Sequence, residues 1–241
     1  MKRSCQYSPR LTIAVVLVLV ASIPRETLHA QDVAYAASLT DLDSATQTAL
    51  GKELARARAR GLPVDPLIAK VREGRLKRAP GPRIRAAVER LSERLSAARE
   101  ALGLTSSVDE VIAGADAIAA GAQPATLRAV RAATTQPVTA PIGALAQLLA
   151  SGVSETKAVD MVLTLLRRNA PPAALIALGN QVEIDVATGL SAAASAAFRL
   201  RAIENQLGDA AVTNATTGGF ENAATGANTH TGTGSAPRRK P

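Results

Sequence analysis

Aromatic side chains are nearly missing from this 241-residue chain, which holds two tyrosines, two phenylalanines and no tryptophan. Modules that read single-stranded nucleic acid stack bases on aromatic platforms, so sequence-reading nucleic-acid recognition has no material to work with. Interface hot spots built on Trp and Tyr are disfavoured for the same reason. Cysteine and histidine are as scarce: the chain has Cys5, His29 and His230. A metal site ligated by His or Cys therefore lacks its ligands, and so does catalysis that needs a thiolate or a placed imidazole. Strand signals are missing too. Period-2 alternation does not occur, while the i, i+3, i+4 spacing of helices recurs along the chain.

What is present begins with an export signal. Lys2, Arg3 and Arg10 form a positive start, and a largely apolar run from Leu11 to Ile23 follows. That run suits a signal-peptide core and is short for a bilayer span. Leu28-His29-Ala30 places a small residue at the cleavage position, so the expected divisions are a signal peptide over 1–30 and a linker over 31–40; Ala34-Tyr35-Ala36 is a second candidate exit, with cleavage after Ala36. Cleavage would remove Cys5 and His29, leaving a periplasmic or secreted protein without disulfides and without a membrane anchor. Such a chain is held together by packing alone.

Charge is uneven. The net +8 of the whole chain is matched by the segment from Lys52 to Glu100 alone, and the rest of the exported chain is slightly acidic. Lys52, Arg56, Arg60, Arg72, Arg75, Lys77 and Arg78 are the candidate contacts to an anionic surface, with Arg58 and Lys70 beside them. Lipid headgroups or an anionic envelope polymer fit such a segment. A solvated, arginine-rich helix face is the plainer explanation of the same residues.

The periodicity predicts helices near 41–60, 64–73, 81–102, 107–120, 124–134, 141–151, 155–168, 172–187 and 190–207. The fold class is all-α: a helical-hairpin array or irregular bundle over 41–208, then a disordered low-complexity tail over 209–241. In the third helix Ile84, Val88, Leu91, Leu95, Ala98 and Leu102 form a heptad-like seam. Ser107 and Glu110 spell a capping box. The seventh helix, with Val159, Val162, Leu163, Leu165 and Leu166, is apolar nearly all round and is expected at the centre. Asp109, Glu110 and Asp116 read as capping or solvent-facing charges.

Three repeats are spelled by a recurring punctuation. Gly61-Leu62-Pro63, Gly103-Leu104-Thr105 and Gly152-Val153-Ser154 each join a helix stop to a helix start. Arg78-Ala79-Pro80, Gly121-Ala122-Gln123 and Asn169-Ala170-Pro171 follow at similar spacings. Solenoid repeats starting near 61, 103 and 152 would produce this pattern, because a helix pair stacks on its neighbours to bury its apolar face. Any helix-to-helix turn is spelled in much the same way.

One motif suggests chemistry. Ser154-Glu155-Thr156-Lys157 matches S-x-x-K, in which the serine of an acyl-enzyme is deprotonated with help from a lysine one turn on. The accompanying S-D-N and K-T-G segments and a supporting sheet are missing, so Ser154 reads better as a helix N-cap. The expectation is an exported, non-enzymatic helical protein with no cofactor, which binds a protein or envelope component or acts as an envelope scaffold.

Overall fold

The computed structural model of the chain describes the backbone of residues 42–225 and the side chains of residues 42–209. The expected export signal, its cleavage site, the 31–40 linker and residues 226–241 of the expected tail lie outside the described residues. Among the described residues all regular structure is helical: α1 (Ser44–Ala59), α2 (Asp65–Leu76), α3 (Gly81–Leu102), α4 (Val108–Ala119), α5 (Pro124–Ala132), α6 (Thr139–Ala150), α7 (Glu155–Arg167), α8 (Pro172–Ala187) and α9 (Ala192–Thr225).

Local chemistry explains most of the starts. Asp43 caps α1 by accepting the Thr46 amide at 2.9 Å. Ser107 and Glu110 close the expected capping box on α4. Prolines occupy the first turn of α2, α3, α5 and α8, where the missing N–H is not needed.

Most of the stops share one geometry. At the end of α1, Gly61 adopts φ +67°, the Leu62 amide donates to the Ala57 carbonyl at 3.0 Å, and the Gly61 amide donates to Arg58 at 2.9 Å. This is a Schellman turn, in which a left-handed residue lets two orphan carbonyls find donors. The same pair of bonds recurs after α2 at Arg78-Ala79, after α4 at Gly121-Ala122, after α6 at Gly152-Val153, after α7 at Asn169-Ala170 and after α8 at Gly189-Leu190. Arg78 and Asn169 take the left-handed conformation without being glycine, both at φ +52°. Gly103 departs from the set. Its amide donates back to Arg99, and the chain leaves it extended at ψ 164°. Leu104, in the position where Leu62 and Val153 tuck inward, is 90% exposed. Arg99 explains the difference, since its guanidinium donates to the Ser106 carbonyl at 2.6 Å and holds the loop out.

The packing forms a row in which α3 packs on α4, α4 on α6, α6 on α8 and α8 on α9. Helices α1 and α2 cover α3, while α5 bridges α3 and α7. The seam of α3 faces this interior: Ile84, Val88, Leu95, Ala98 and Leu102 are buried, and Leu91 packs at its edge. Small residues let the helices approach closely. A Cβ on Gly114 of α4 would lie 2.8 Å from the Ala98 methyl of α3. The core is aliphatic, with Leu50, Leu67, Leu127, Leu145 and Leu178 fully enclosed.

The centre is α6, which buries Ile142, Ala144, Leu145 and Leu148 and packs against α4, α5, α7 and α8. The expectation that α7 is central is corrected. Ala158, Met161, Val162 and Leu165 are buried, whereas Val159, Leu163 and Leu166 are only partly so. Helix α7 covers α6 and α5 from one side, and its remaining apolar side chains form a half-shielded flank. The last helix also differs from expectation. Its packed part reaches Ile203 and Leu207, as the periodicity predicts, and its backbone continues helical to Thr225.

Candidate functional site

All seven candidate basic residues belong to α1, α2 and the turn that follows α2. The buried stripe of α1 is Thr46, Leu50, Leu54 and Ala57. Lys52, Arg56 and Arg60 step by four on the other side and are exposed. On α2, Leu67, Ile68 and Val71 face the core. Arg72 is exposed and Arg75 half-buried, and Lys77 and Arg78 are exposed in the turn to α3. Both helices rest on α3, so the structure gathers the seven at one end of the row, on two helices.

These cations differ in what they already touch. Arg56 pairs with Glu53 at 2.5 Å. Glu73 accepts from both Lys70 and Lys77 at 2.6 Å, and the two ammonium groups hold its carboxyl down to about 2. Arg58, Arg72 and Arg75 are engaged as well. The side chains of Lys52, Arg60 and Arg78 make no ion pair or hydrogen bond among the described residues. Exposed pairs of this kind are typically worth 0–1 kcal/mol, so a polyanion could exchange for the acidic partners at small cost. Arg56 and Arg58 also lie in the last turn of α1, where cations suit the helix dipole. Part of the arginine enrichment is thereby a property of the helix itself.

The polar features with the most defined geometry have long-range partners that the sequence pattern did not indicate. Glu110, expected at the surface or in a cap, caps α4 and is also buried, at 5% exposure. Its carboxylate accepts the Val138 amide at 2.8 Å and faces the Arg131 guanidinium at 3.2 Å. Arg131 in turn donates to the carbonyls of Thr134 and Gln136, both at 2.7 Å. One carboxylate thus fixes the α5–α6 loop to the start of α4. Burial works against the charge of Glu110, but the Val138 and Ser107 amides and Arg131 prevail and lower its pKa. Asp185 plays a similar part on α8. It takes a bidentate pair of bonds from Arg199 at 2.7 and 2.8 Å and a third from the Ser195 hydroxyl at 2.6 Å. Arg199 and Ser195 depress its pKa to about 2. Glu155, at the start of α7, accepts the Gln123 amide and the Thr126 hydroxyl at the start of α5. These contacts join elements that lie far apart in sequence.

Ser154 occupies the N-cap position of α7 with extended backbone, as expected, but its hydroxyl makes no capping hydrogen bond. Ser154 and Lys157 are both exposed. The neighbouring Glu155 is turned toward α5 as described. No family model matches the chain, and neither a curated protein nor a solved structure shows significant similarity to it.

Proposed function

We propose that this chain is exported and acts by binding rather than by catalysis, as a helical scaffold for a macromolecular partner in the periplasm or outside the cell. The packing order supports this reading. Helices α3, α4, α6, α8 and α9 each contact the next, while α5 and α7 pack along one side. Rows of short helices present broad, fixed surfaces of the kind that repeat proteins use for partners. The Glu110–Arg131, Glu155–Gln123 and Asp185–Arg199 contacts lock neighbouring helices and loops together. The test is in-cell cross-linking of the tagged chain, followed by localisation of the cross-linked form. The expected result is a mature N-terminus at Gln31 and a cross-linked envelope or secreted partner. An intact Met1 form confined to the cytosol would contradict it.

A second reading gives the partner a chemistry. The exposure of Lys52, Arg56, Arg60, Arg72, Lys77 and Arg78 favours an anionic envelope polymer or lipid surface. Binding of that kind weakens steeply with salt. The acyl-enzyme reading of Ser154 and Lys157 has its own check, which is covalent labelling by a serine-directed acylating probe. No labelling is expected.

A further inference from the structure

Two leucines stand almost wholly in solvent, Leu76 at 85% exposure and Leu104 at 90%. Leu76 is the last residue of α2. The inward face of that helix runs through Leu67, Ile68 and Val71 to Gly74, which lies against Ile84 of α3. Leu76, two positions on, points away from that face. Leu104 sits at the opposite end of α2, because Arg99 joins its loop to the Gly61 carbonyl in the α1–α2 turn.

A single exposed leucine is ordinary. What separates these two is the charge around them. The five residues on either side of Leu76 hold Arg72, Arg75, Lys77 and Arg78 against one carboxylate, Glu73. The same span around Leu104 holds Arg99 against Glu100 and Asp109. Asp43 is a second acid at the Leu76 turn, since a Cβ on Gly81 would lie 2.7 Å from its carboxylate. With both acids counted the turn stays positive. Arg72, Lys77 and Arg78 are exposed and Arg75 is half-buried. Their contacts within the chain leave this net charge unchanged, and net charge sets the attraction to an anionic surface.

A polyanion in water would engage the cations and leave Leu76 in solvent. A bilayer engages both, because an apolar side chain enters the acyl boundary while long basic side chains keep their charges among the headgroups. We infer that the α2–α3 turn docks on anionic lipid, with Leu76 at the acyl boundary and Arg72, Arg75, Lys77 and Arg78 among the headgroup phosphates. This rests on the anionic-surface reading of the basic end, and it selects lipid over polymer.

The chain has no tryptophan, so Leu76→Trp and Leu104→Trp each introduce a single fluorophore. The exported form of each variant is mixed at low salt with vesicles of phosphatidylcholine and phosphatidylglycerol, and separately with soluble polyphosphate. Emission from Leu76→Trp should move to shorter wavelength on vesicles and be quenched by brominated acyl chains, with no shift on polyphosphate. Leu104→Trp should keep its solvent wavelength with both. Leu76→Ser should bind the vesicles about tenfold more weakly than wild type and bind polyphosphate equally well. All three changes are at exposed positions, so the circular dichroism should match wild type. Vesicle binding with unshifted Leu76→Trp emission and full affinity in Leu76→Ser overturns the inference and leaves the basic end as a polyanion site. An equal shift at Leu104→Trp, or binding to polyphosphate alone, also overturns it. Failure of wild type to bind either vesicles or polyphosphate overturns both the inference and the reading beneath it.

Discussion

Leu165 and Leu166 are adjacent on α7, chemically identical and energetically unequal in this structure. Leu165 is fully enclosed, while Leu166 is only partly buried at the edge of the core. Truncating Leu165 to alanine removes its transfer free energy and leaves a cavity against α6, so the cost should fall at about 3–4 kcal/mol. Leu166→Ala removes a side chain that already shares its surface with solvent, and no closed cavity results. Its cost should be about 1 kcal/mol. Urea unfolding followed by circular dichroism measures both, with the midpoint shift taken at constant slope. At a slope of roughly 2 kcal/mol per molar, Leu165→Ala should lower the midpoint by more than 1 M and Leu166→Ala by about 0.5 M. Equal losses, or a larger loss for Leu166, would return α7 to a central position and refute its placement on the flank of α6.

Three further outcomes follow from named contacts. Glu110→Ala leaves the fully buried Val138 amide without its acceptor and removes the ion pair of Arg131; a loss of roughly 1–3 kcal/mol should appear together with accelerated amide exchange at Val138. Gly114→Ala should destabilise, because the new methyl meets Ala98 at 2.8 Å, whereas Gly143→Ala, with open space around it, should raise stability by about 0.5–1 kcal/mol through helix propensity; thermal melts of the pair should move in opposite directions. The Asp185 carboxyl is depressed from 3.8 to about 2, so its contribution is complete above pH 4 and is lost as pH falls toward 2; Asp185→Asn should make the acid melting profile shallower in that window, and an unchanged profile would show that the Arg199 contact contributes nothing.

Helix positions were legible in the sequence because their signals are local. The capping box of Ser107 and Glu110, the prolines that open α3 and α8, and the left-handed stops at Gly61 and Gly152 involve residues a few positions apart. Helices α3 and α8 begin and end where periodicity places them, at 81–102 and 172–187. Tertiary partners were not legible. The capping role of Glu110 follows from its spacing to Ser107, but its bond to Val138 spans 28 residues of sequence. Nothing in the spacing of Asp185 and Arg199 indicates that a turn will bring them together. For α7 the pattern was ambiguous in itself, since a helix apolar on most sides does not say which side is covered. The turn at Gly103 has the same spelling as the turn at Gly61 and a different structure, because Arg99 reaches forward to Ser106 and holds the loop open. The basic residues were found by composition, and the structure distinguishes those already paired from Lys52, Arg60 and Arg78.

That distinction sharpens the measurement that bears most directly on a binding role. The triple variant Lys52→Glu, Arg60→Glu and Arg78→Glu reverses three exposed cations and breaks no intramolecular ion pair among the described residues. Its fold should therefore match wild type by circular dichroism, since such surface changes usually cost little. Co-sedimentation with vesicles containing anionic lipid and with isolated anionic envelope polymer, at rising salt, is then compared between the two proteins. The binding account predicts that wild type sediments at low salt, is released as salt rises, and loses most of its binding in the triple variant. Absence of wild-type binding at low salt, or full retention in the variant, would contradict a role for this basic end.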